Sequence, residues 1–413
     1  MRRFRLASLA ALVALSISTA IACGPSPDSK AEARASAEPA LKWTVLIVTG
    51  AEDVSPDEWR RAKALAGGNG SAPGNVQVVH AEIPADKWRR QADVAQSIAE
   101  FADKAGARAI IVAPSPRGTV NGVAAAKEAN PDLVAVLVEP IENPIMVQRV
   151  ADLALNVDYL QRPYALFQAA RKAGAASIVD VVNPAGEGYE PFDRKRLALE
   201  FAAEEAGVPL VRLRVSPNAK KGETVEDFLA RELPAALEAA GEPTWISFDR
   251  GLPAASLYSA IRDRRAFVIE EDIPSISEGL CVALGLDPAS RWQADAYKAV
   301  EKAAIALGAA GRFGAWIRGW GETAIDAAVA HLAAVFDGKA RVDSIDSVAS
   351  ALASTNQGSV WRVGYYPDAF SGVDARSHLL VYQDPYVFGR GFLSLTKYET
   401  PKALRILQPA GTE

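Results

Sequence analysis

From Leu41 onward the chain alternates two kinds of segment. Short apolar runs of strand length are followed by longer stretches in which apolar positions recur every three or four residues. Thr44 to Val48 is the first run. Ser55-Pro56-Asp57-Glu58 then reads as a helix start, with Ser as N-cap, Pro in the first position and Glu closing a capping box; Gly67-Gly68 stops the helix. The rhythm continues through the strand "NVQVVHAEI", the helix "ADKWRRQADVAQSIAEFADKAG", the strand "ARAIIVAPS", the helix "GTVNGVAAAKEAN" and the strand "DLVAVLVEP". Ile110-Ile111-Val112 and Val134 to Val138 show no polar alternation. Such runs belong to strands covered by helices on both faces, hence to a parallel sheet.

After a break the rhythm restarts. "ADLALNVDYLQRPYALFQAARKAGA" carries a short strand and a helix, and Pro163 predicts that this helix begins at Tyr164. "ASIVDVVNPA", "VPLVRLRVSP", "PTWISFD" and "AFVIEED" predict four further strands. Helices are predicted between them over Pro191–Ala206, Thr224–Ala240 and Pro253–Arg264. The expected fold class is therefore α/β, with two doubly wound parallel-sheet lobes spanning 41–160 and 161–290 and a hinge near Asp158 to Pro163. The remainder, 291–413, reads as a helical return followed by irregular strands and loops packing across the lobes.

Residues before Leu41 follow a different rule. Arg2, Arg3 and Arg5 precede an uncharged apolar run from Leu6 to Ile21. The run is short of the ~20 residues a membrane span needs, and it ends in small residues, as a secretory signal does. Ala20-Ile21-Ala22-Cys23 resembles a bacterial lipobox, which makes residues 1–22 a signal peptide and Cys23 the lipidated residue. The alternative is a signal cut after Ala22 with Cys23 incidental. Gly24 to Pro39 is small, polar and aperiodic, a flexible tether over 23–40. The chain has two cysteines in all, so with Cys23 lipidated, Cys281 has no disulfide partner and packs as a small hydrophobe. The formal net charge of −5 argues against nucleic acid as a partner.

Several stretches carry a more specific likeness: "VLIVTG", "LALNVDYLQRPY", "GRFGAW" and above all "SHLLVYQDPYVFGRGF". They resemble an uncharacterised family of bacterial lipoproteins, a domain of unknown function with a fold like that of type I periplasmic binding proteins. The resemblance implies that fold and a place in the cell envelope. It supplies no ligand and no site residues.

Catalytic patterns are sparse. The three histidines, His80, His331 and His378, lie far from one another and from Cys or Glu at metal-ligand spacing, and a structural role is expected for them. Neither a nucleophile elbow nor a phosphate-binding loop is present, and no enzyme activity, metal or cofactor is expected. A binding site has a defined place instead, at the carboxyl ends of the strands of an open α/β sheet. The predicted strand ends carry Asp53, Glu139, Asp158, Tyr159, Asp249, Arg250 and Glu271, expected as ligand-binding residues; the alternative for the acids is that they cap the following helices. Asp158, Tyr159, Asp249 and Arg250 are expected to face one cleft. Their acidity favours a small sugar, nucleoside or cationic solute, with Tyr159 as a stacking surface. The reading that follows is a solute-binding lipoprotein of the cell envelope, on the periplasmic side in a Gram-negative cell. It would be held to the membrane by its lipid and serve an ABC permease or a sensor. The competing reading is an envelope interaction lipoprotein that kept the fold without small-molecule binding.

Overall fold

The computed structural model describes residues 43–68, 70, 72–262, 264–269, 275–293, 295–355, 358–367 and 374–406. In chain order the strands are β1 (Trp43–Gly50), β2 (Val76–Ile83), β3 (Ala109–Val112), β4 (Val134–Val138) and β5 (Leu153–Val157), then β6 (Ser177–Val182), β7 (Leu210–Arg214), β8 (Thr244–Phe248) and β9 (Ala266–Phe267). The short β10 (Gly314–Ala315) precedes β11 (Trp361–Pro367) and β12 (Asp374–Gln383), and β13 (Tyr386–Val387) and β14 (Gly391–Phe392) follow. The helices are α1 (Pro56–Ala66), α2 (Ala85–Trp88), α3 (Gln91–Ala105), α4 (Thr119–Ala129), α5 (Pro144–Val150), α6 (Gln161–Lys172) and α7 (Glu190–Ala206). They continue as α8 (Val225–Ala240), α9 (Ala254–Ile261), α10 (Glu278–Ala283), α11 (Ala296–Ala306), α12 (Trp320–Phe336), α13 (Ile345–Thr355) and α14 (Lys402–Ile406).

These strands form two principal sheets. The first has seven strands in the order β11-β12-β5-β4-β3-β1-β2, and the second has four in the order β7-β6-β8-β9. Within these two sheets every pairing is parallel except β11 with β12, and β10, β13 and β14 form a small antiparallel third sheet. The physical reason is in the strands themselves: β3, β5, β6 and β8 are buried along their whole length. Only a sheet with helices on both faces can hold such a run. In the second sheet the strand order reverses direction between β6 and β8, which opens a crevice at their carboxyl ends.

The C-terminal segment corrects an expectation. Residues 361–367 and 374–383 are regular strands of the first sheet rather than irregular strands packed across the lobes: β12 lies parallel to β5 with His378 beside Ala154 and Leu380 beside Asn156, and β11 pairs antiparallel with β12 as the edge. The first sheet is thus discontinuous in sequence. Local pattern could not show this, because the aromatics in β11 and β12 obscure the period-two signal. β9 is also shorter than "AFVIEED" suggests, although Val268 continues the line by a bridge to Phe313.

Two helix starts with the same signature behave differently. Thr224 and Asp227 form a reciprocal capping box at α8. At α1, Ser55 makes no capping hydrogen bond and its Oγ is buried without a partner among the described residues, which leaves Asp57 and Glu58 for other contacts. At α6 the helix begins at Gln161, earlier than Pro163 led us to expect. Pro163 falls in the first turn, where its missing N–H has no helical partner to lose.

Candidate ligand cleft

A cavity of about 440 Å³ lies between the first sheet and the start of α7. Its first-sheet wall includes Arg117 after β3, Asn156 on β5, Tyr159, Tyr366 on β11 and His378 on β12; its other wall includes Tyr189, Glu190 and Arg194. A second cavity of about 270 Å³ adjoins it, lined by Glu139, Asn183, Phe192 and Arg250, among others. Ile141, Tyr159, Tyr189 and Pro191 line both and form their common wall.

A chain of polar and aromatic contacts runs along the larger cavity. Asn156 Nδ2 donates to the carbonyl of Pro140 at 3.4 Å, which turns Asn156 Oδ1 towards His378 Nε2 at 2.7 Å. An amide oxygen only accepts, so His378 Nε2 carries the proton and Nδ1 is left as a bare acceptor. Burial, helped by the positive charge of Arg194, pushes the His378 imidazole down to about 3, so the ring is neutral. The ring stacks on Tyr366 with centroids 4.5 Å apart and planes 18° from parallel. Tyr366 Oη donates to Glu190 Oε1 at 2.5 Å. The Arg194 guanidinium stands 5.0 Å from the centre of the Tyr366 ring and donates from Nη1 to Glu190 Oε1 at 3.3 Å. Burial raises the Glu190 carboxyl above its ordinary range. Tyr366 and His378 come from the first sheet, whereas Glu190 and Arg194 come from the first turns of α7. A second bridge of the same kind joins Arg117 to the Tyr189 ring at 4.8 Å. The contacts across the cleft thus combine aromatic faces against guanidinium groups with the Tyr366–Glu190 hydrogen bond.

The residues expected from sequence divide. Tyr159 walls both cavities, edge-on to Phe192 at 6.3 Å, with Arg162 over its ring at 5.3 Å. Glu139 and Arg250 line the smaller cavity. Glu139 sits at φ +49°, in the left-handed region that few residues other than glycine adopt, and its Oε1 accepts from Val157 N at 2.7 Å. Asp158 is turned inward: Oδ1 accepts from Leu160 N and Gln161 N, so it caps α6. Asp249 is also turned inward. It pairs with buried Lys195 and accepts from Asn183 N at 2.9 Å. The shared cleft of four residues thus reduces to Tyr159 and Arg250. Asp53 is exposed and lines neither cavity. Glu271 and Cys23 lie outside the described residues. Of the acids expected at the rim, helix capping and ion pairing occupy Asp158 and Asp249, whereas Glu139 remains in the wall of the smaller cavity, and Glu142 and Glu190 line the larger one.

Asn156, Glu190, Arg194, Tyr366 and His378 escaped the sequence reading. Only two carried a usable signal: Asn156 interrupts the apolar run of "LALNV", and His378 opens the distinctive "SHLLVY" stretch. The other two histidines are satisfied within the fold. His331 bonds to Ser347 Oγ and the carbonyl of Val342, and His80 bonds to Thr49 Oγ1. A further pair of acids lies outside both cavities, with Asp57 lining a separate one beside Arg291, Arg318 and Glu322. Burial, then the charge of Asp57, pushes Glu58 up to about 7, and it feels the charges of Arg250 and Glu139. Burial, then Glu322, pushes Asp57 up to about 6. Among the described residues no group of three or more His, Cys, Asp or Glu could hold a metal ion.

Comparison with known proteins now adds the lineage. A family model for a protein of unknown function, DUF3798, matches residues 43–314, and a second family model matches residues 326–406. The chain belongs to the DUF3798 family. It is similar to an uncharacterized protein of Treponema pallidum, 28% identical over 159 residues, covering 36% of this chain and 72% of that one. A Clostridium difficile 630 structure, provisionally assigned as a transcriptional regulator, matches with a TM-score of 0.70 at 13% identity, over 84% of this chain and 99% of that one. An ABC transporter substrate-binding protein from Sphaerobacter thermophilus matches with a TM-score of 0.46 at 14% identity, over 83% and 93% of the two chains. The DUF3798 chain is α/β with largely parallel sheets and shares its fold with the Clostridium difficile structure. No helix among its described residues is long and apolar enough to cross a membrane.

Proposed function

We propose that this DUF3798 protein is a lipid-anchored extracytoplasmic solute-binding protein. It takes a small polar solute between its two sheets and presents it to an ABC permease or a sensor. The observation that carries this reading is the cavity of about 440 Å³, walled on one side by β5, β11 and β12 and on the other by the start of α7. That volume lies within the range of small-molecule sites, and its walls mix aromatic rings with a few convergent polar groups. Asp158, Tyr159, Leu160 and Arg162 are all buried where the chain passes from β5 to α6. Opening the cleft therefore moves the two sheets about a packed crossover rather than an exposed linker. The smaller cavity, with Glu139, Arg250 and Tyr159, extends the same site.

Two measurements test the proposal. A thermal-shift screen of the full chain against sugars, nucleosides and amines should find a solute that raises Tm, since a ligand at one hundred times its Kd adds about 2.7 kcal/mol. Solution scattering with that solute should show a smaller radius of gyration. A panel without any shift, with unchanged scattering, would favour the interaction-lipoprotein reading and remove this one. For the anchor, Cys23→Ser should move the protein from the membrane to the soluble fraction, because stable attachment needs more than one acyl chain on that residue. A serine variant that still pellets with membranes would show that Cys23 is not the anchor.

A further inference from the structure

Two polar atoms in the larger cavity's walls have no hydrogen-bond partner among the described residues, and they are of opposite sense. His378 Nδ1 is an acceptor, fixed as such by the Asn156 contact at Nε2. Arg194 Nε is a donor. Both side chains are more than nine-tenths buried, at 2% and 7% exposure. They stand on opposite walls, His378 on β12 and Arg194 on α7. Buried polar groups in native proteins are nearly always paired, so an unpaired acceptor and an unpaired donor on two side chains that line one ligand-sized cavity, both packed against the Tyr366 ring, call for an occupant.

The chemistry of the two atoms restricts that occupant. A carboxylate or phosphate offers acceptors only, so it would satisfy Arg194 and leave His378 Nδ1 bare. An ammonium group offers donors only, so it would satisfy His378 and leave Arg194 bare, beside a second guanidinium at Arg117. A zwitterion carries both senses, but its ammonium would lie beside the guanidinium charges of Arg194 and Arg117; a hydroxyl donates and accepts without that charge. The cavity also presents flat apolar faces at Tyr159 and Tyr189, which suit the C–H face of a ring.

We propose that the cleft is specific for an uncharged ring bearing several hydroxyls, with one hydroxyl donating to His378 Nδ1 and a ligand oxygen accepting from Arg194 Nε. This rests on the solute-binding reading and narrows it, setting aside the cationic class. Because the two groups belong to opposite walls, the same ligand pairs with both only when the cleft closes on it. Recognition and closure are one event. Both atoms are sealed from solvent in the present arrangement, so the ligand enters when the sheets part. The shared chemistry is a polyhydroxylated ring, which a free sugar or the ribose of a nucleoside could supply.

The test uses the full chain in detergent, with thermal shift and calorimetry. The probes are D-glucose, D-ribose, L-arabinose, myo-inositol, adenosine and uridine, against putrescine, arginine, glutamate and inorganic phosphate as charged comparators. The expected result is binding within the uncharged set and none among the comparators. Adenosine or uridine binding that is lost with the 2′- or 3′-deoxy nucleoside would identify the nucleoside source; binding of free ribose or a hexose would identify the sugar source. His378→Phe keeps the stacked ring and removes the acceptor, and should weaken the bound probe at least tenfold. A deoxy analogue lacking the recognised hydroxyl should lose as much against the native chain and nothing further against His378→Phe. Should His378→Phe fold poorly by circular dichroism, Arg194→Lys and the deoxy series on the native chain give the same reading. Binding confined to a charged comparator would overturn the ligand class while leaving solute binding intact. Binding of an uncharged probe with unchanged affinity in His378→Phe and Arg194→Lys would overturn the assigned atoms. Silence across the whole panel would remove both readings.

Discussion

Two buried polar clusters sit within a few residues of each other on α7, and they are built on opposite principles. Lys195 reaches inward beneath the second sheet, where it pairs with Asp249 and stands 3.6 Å from Asp180. Glu190 and Arg194 reach the other way, into the cleft, and meet Tyr366 and His378 from the first sheet. The Lys195 cluster is wholly enclosed and brings opposite charges together, with Asp249 also holding Asn183 N and so tying the ends of β6 and β8. Both clusters leave polar atoms without hydrogen-bond partners among the described residues, Asp180 Oδ1 and Oδ2 in the first and Arg194 Nε and His378 Nδ1 in the second. The contrast lies in what stands opposite them. Asp180 faces the fixed charges of Lys195 and Arg212, which lock helix to sheet; Arg194 and His378 belong to side chains that line a ligand-sized cavity.

The sharpest way to break this contrast is to remove the lysine. Lys195→Met should cost roughly 3–5 kcal/mol of stability, because it strands two carboxylates in the interior; chemical denaturation measures it. A loss under 1 kcal/mol would show that the cluster does not lock α7. Tyr366→Phe comes next. It removes the hydroxyl bonded to Glu190 and should lower stability by about 1–3 kcal/mol, while closure on a bound solute weakens too. If the loss appears in stability alone, with ligand-driven compaction intact by scattering, the Tyr366 contact is a packing feature and the contrast blurs. Asp158→Ala should cost about 1 kcal/mol as a lost helix cap, with solute affinity unchanged. A tenfold loss of affinity there would return Asp158 to the ligand site.

The smallest effect concerns Glu58, outside both clusters, which feels the charges of Arg250 and Glu139. Its carboxyl rises from 4.5 to about 7 in the fold, so the folded state holds the proton more tightly than the unfolded chain. The stabilisation it contributes is complete below about pH 4.5 and is lost as pH rises through 7. Asp57, raised from 3.8 to about 6, acts in the same direction. Melting temperatures followed from pH 5 to about pH 8 should therefore decline, and Glu58→Gln should flatten the decline. An identical slope in the variant would show that Glu58 does not set it.

How far the sequence carried the fold depends on which physical signal each element uses. Runs such as "AIIV" and "VAVLV" state their own burial, because a strand without polar alternation has no face for water; α/β class and parallel sheets follow. Helix starts were legible as patterns but not as outcomes. "SPDE" and "TVED" look alike, yet only Thr224 closes its box, since whether the N-cap side chain reaches back to the helix is decided by its neighbours across the fold. Strand ends gave Tyr159, Glu139 and Arg250 their place near the cavities. They could not say that Asp158 and Asp249 would turn inward, because a carboxylate at a strand end caps a helix or meets a ligand with the same sequence around it.

By itself, then, the sequence determined what depends on neighbours along the chain: buried strands, helix period, the apolar leader and the tether composition. Tertiary structure alone decided what depends on neighbours across the fold. It placed β11 and β12 in the first sheet, some two hundred residues from β5. It brought Asn156, Glu190, Arg194, Tyr366 and His378 to one cavity. Hydrophobic periodicity is a local property, read within a turn or two. A binding site is made by side chains whose sequence separation carries no information about their distance, and only the packed sheets bring them together.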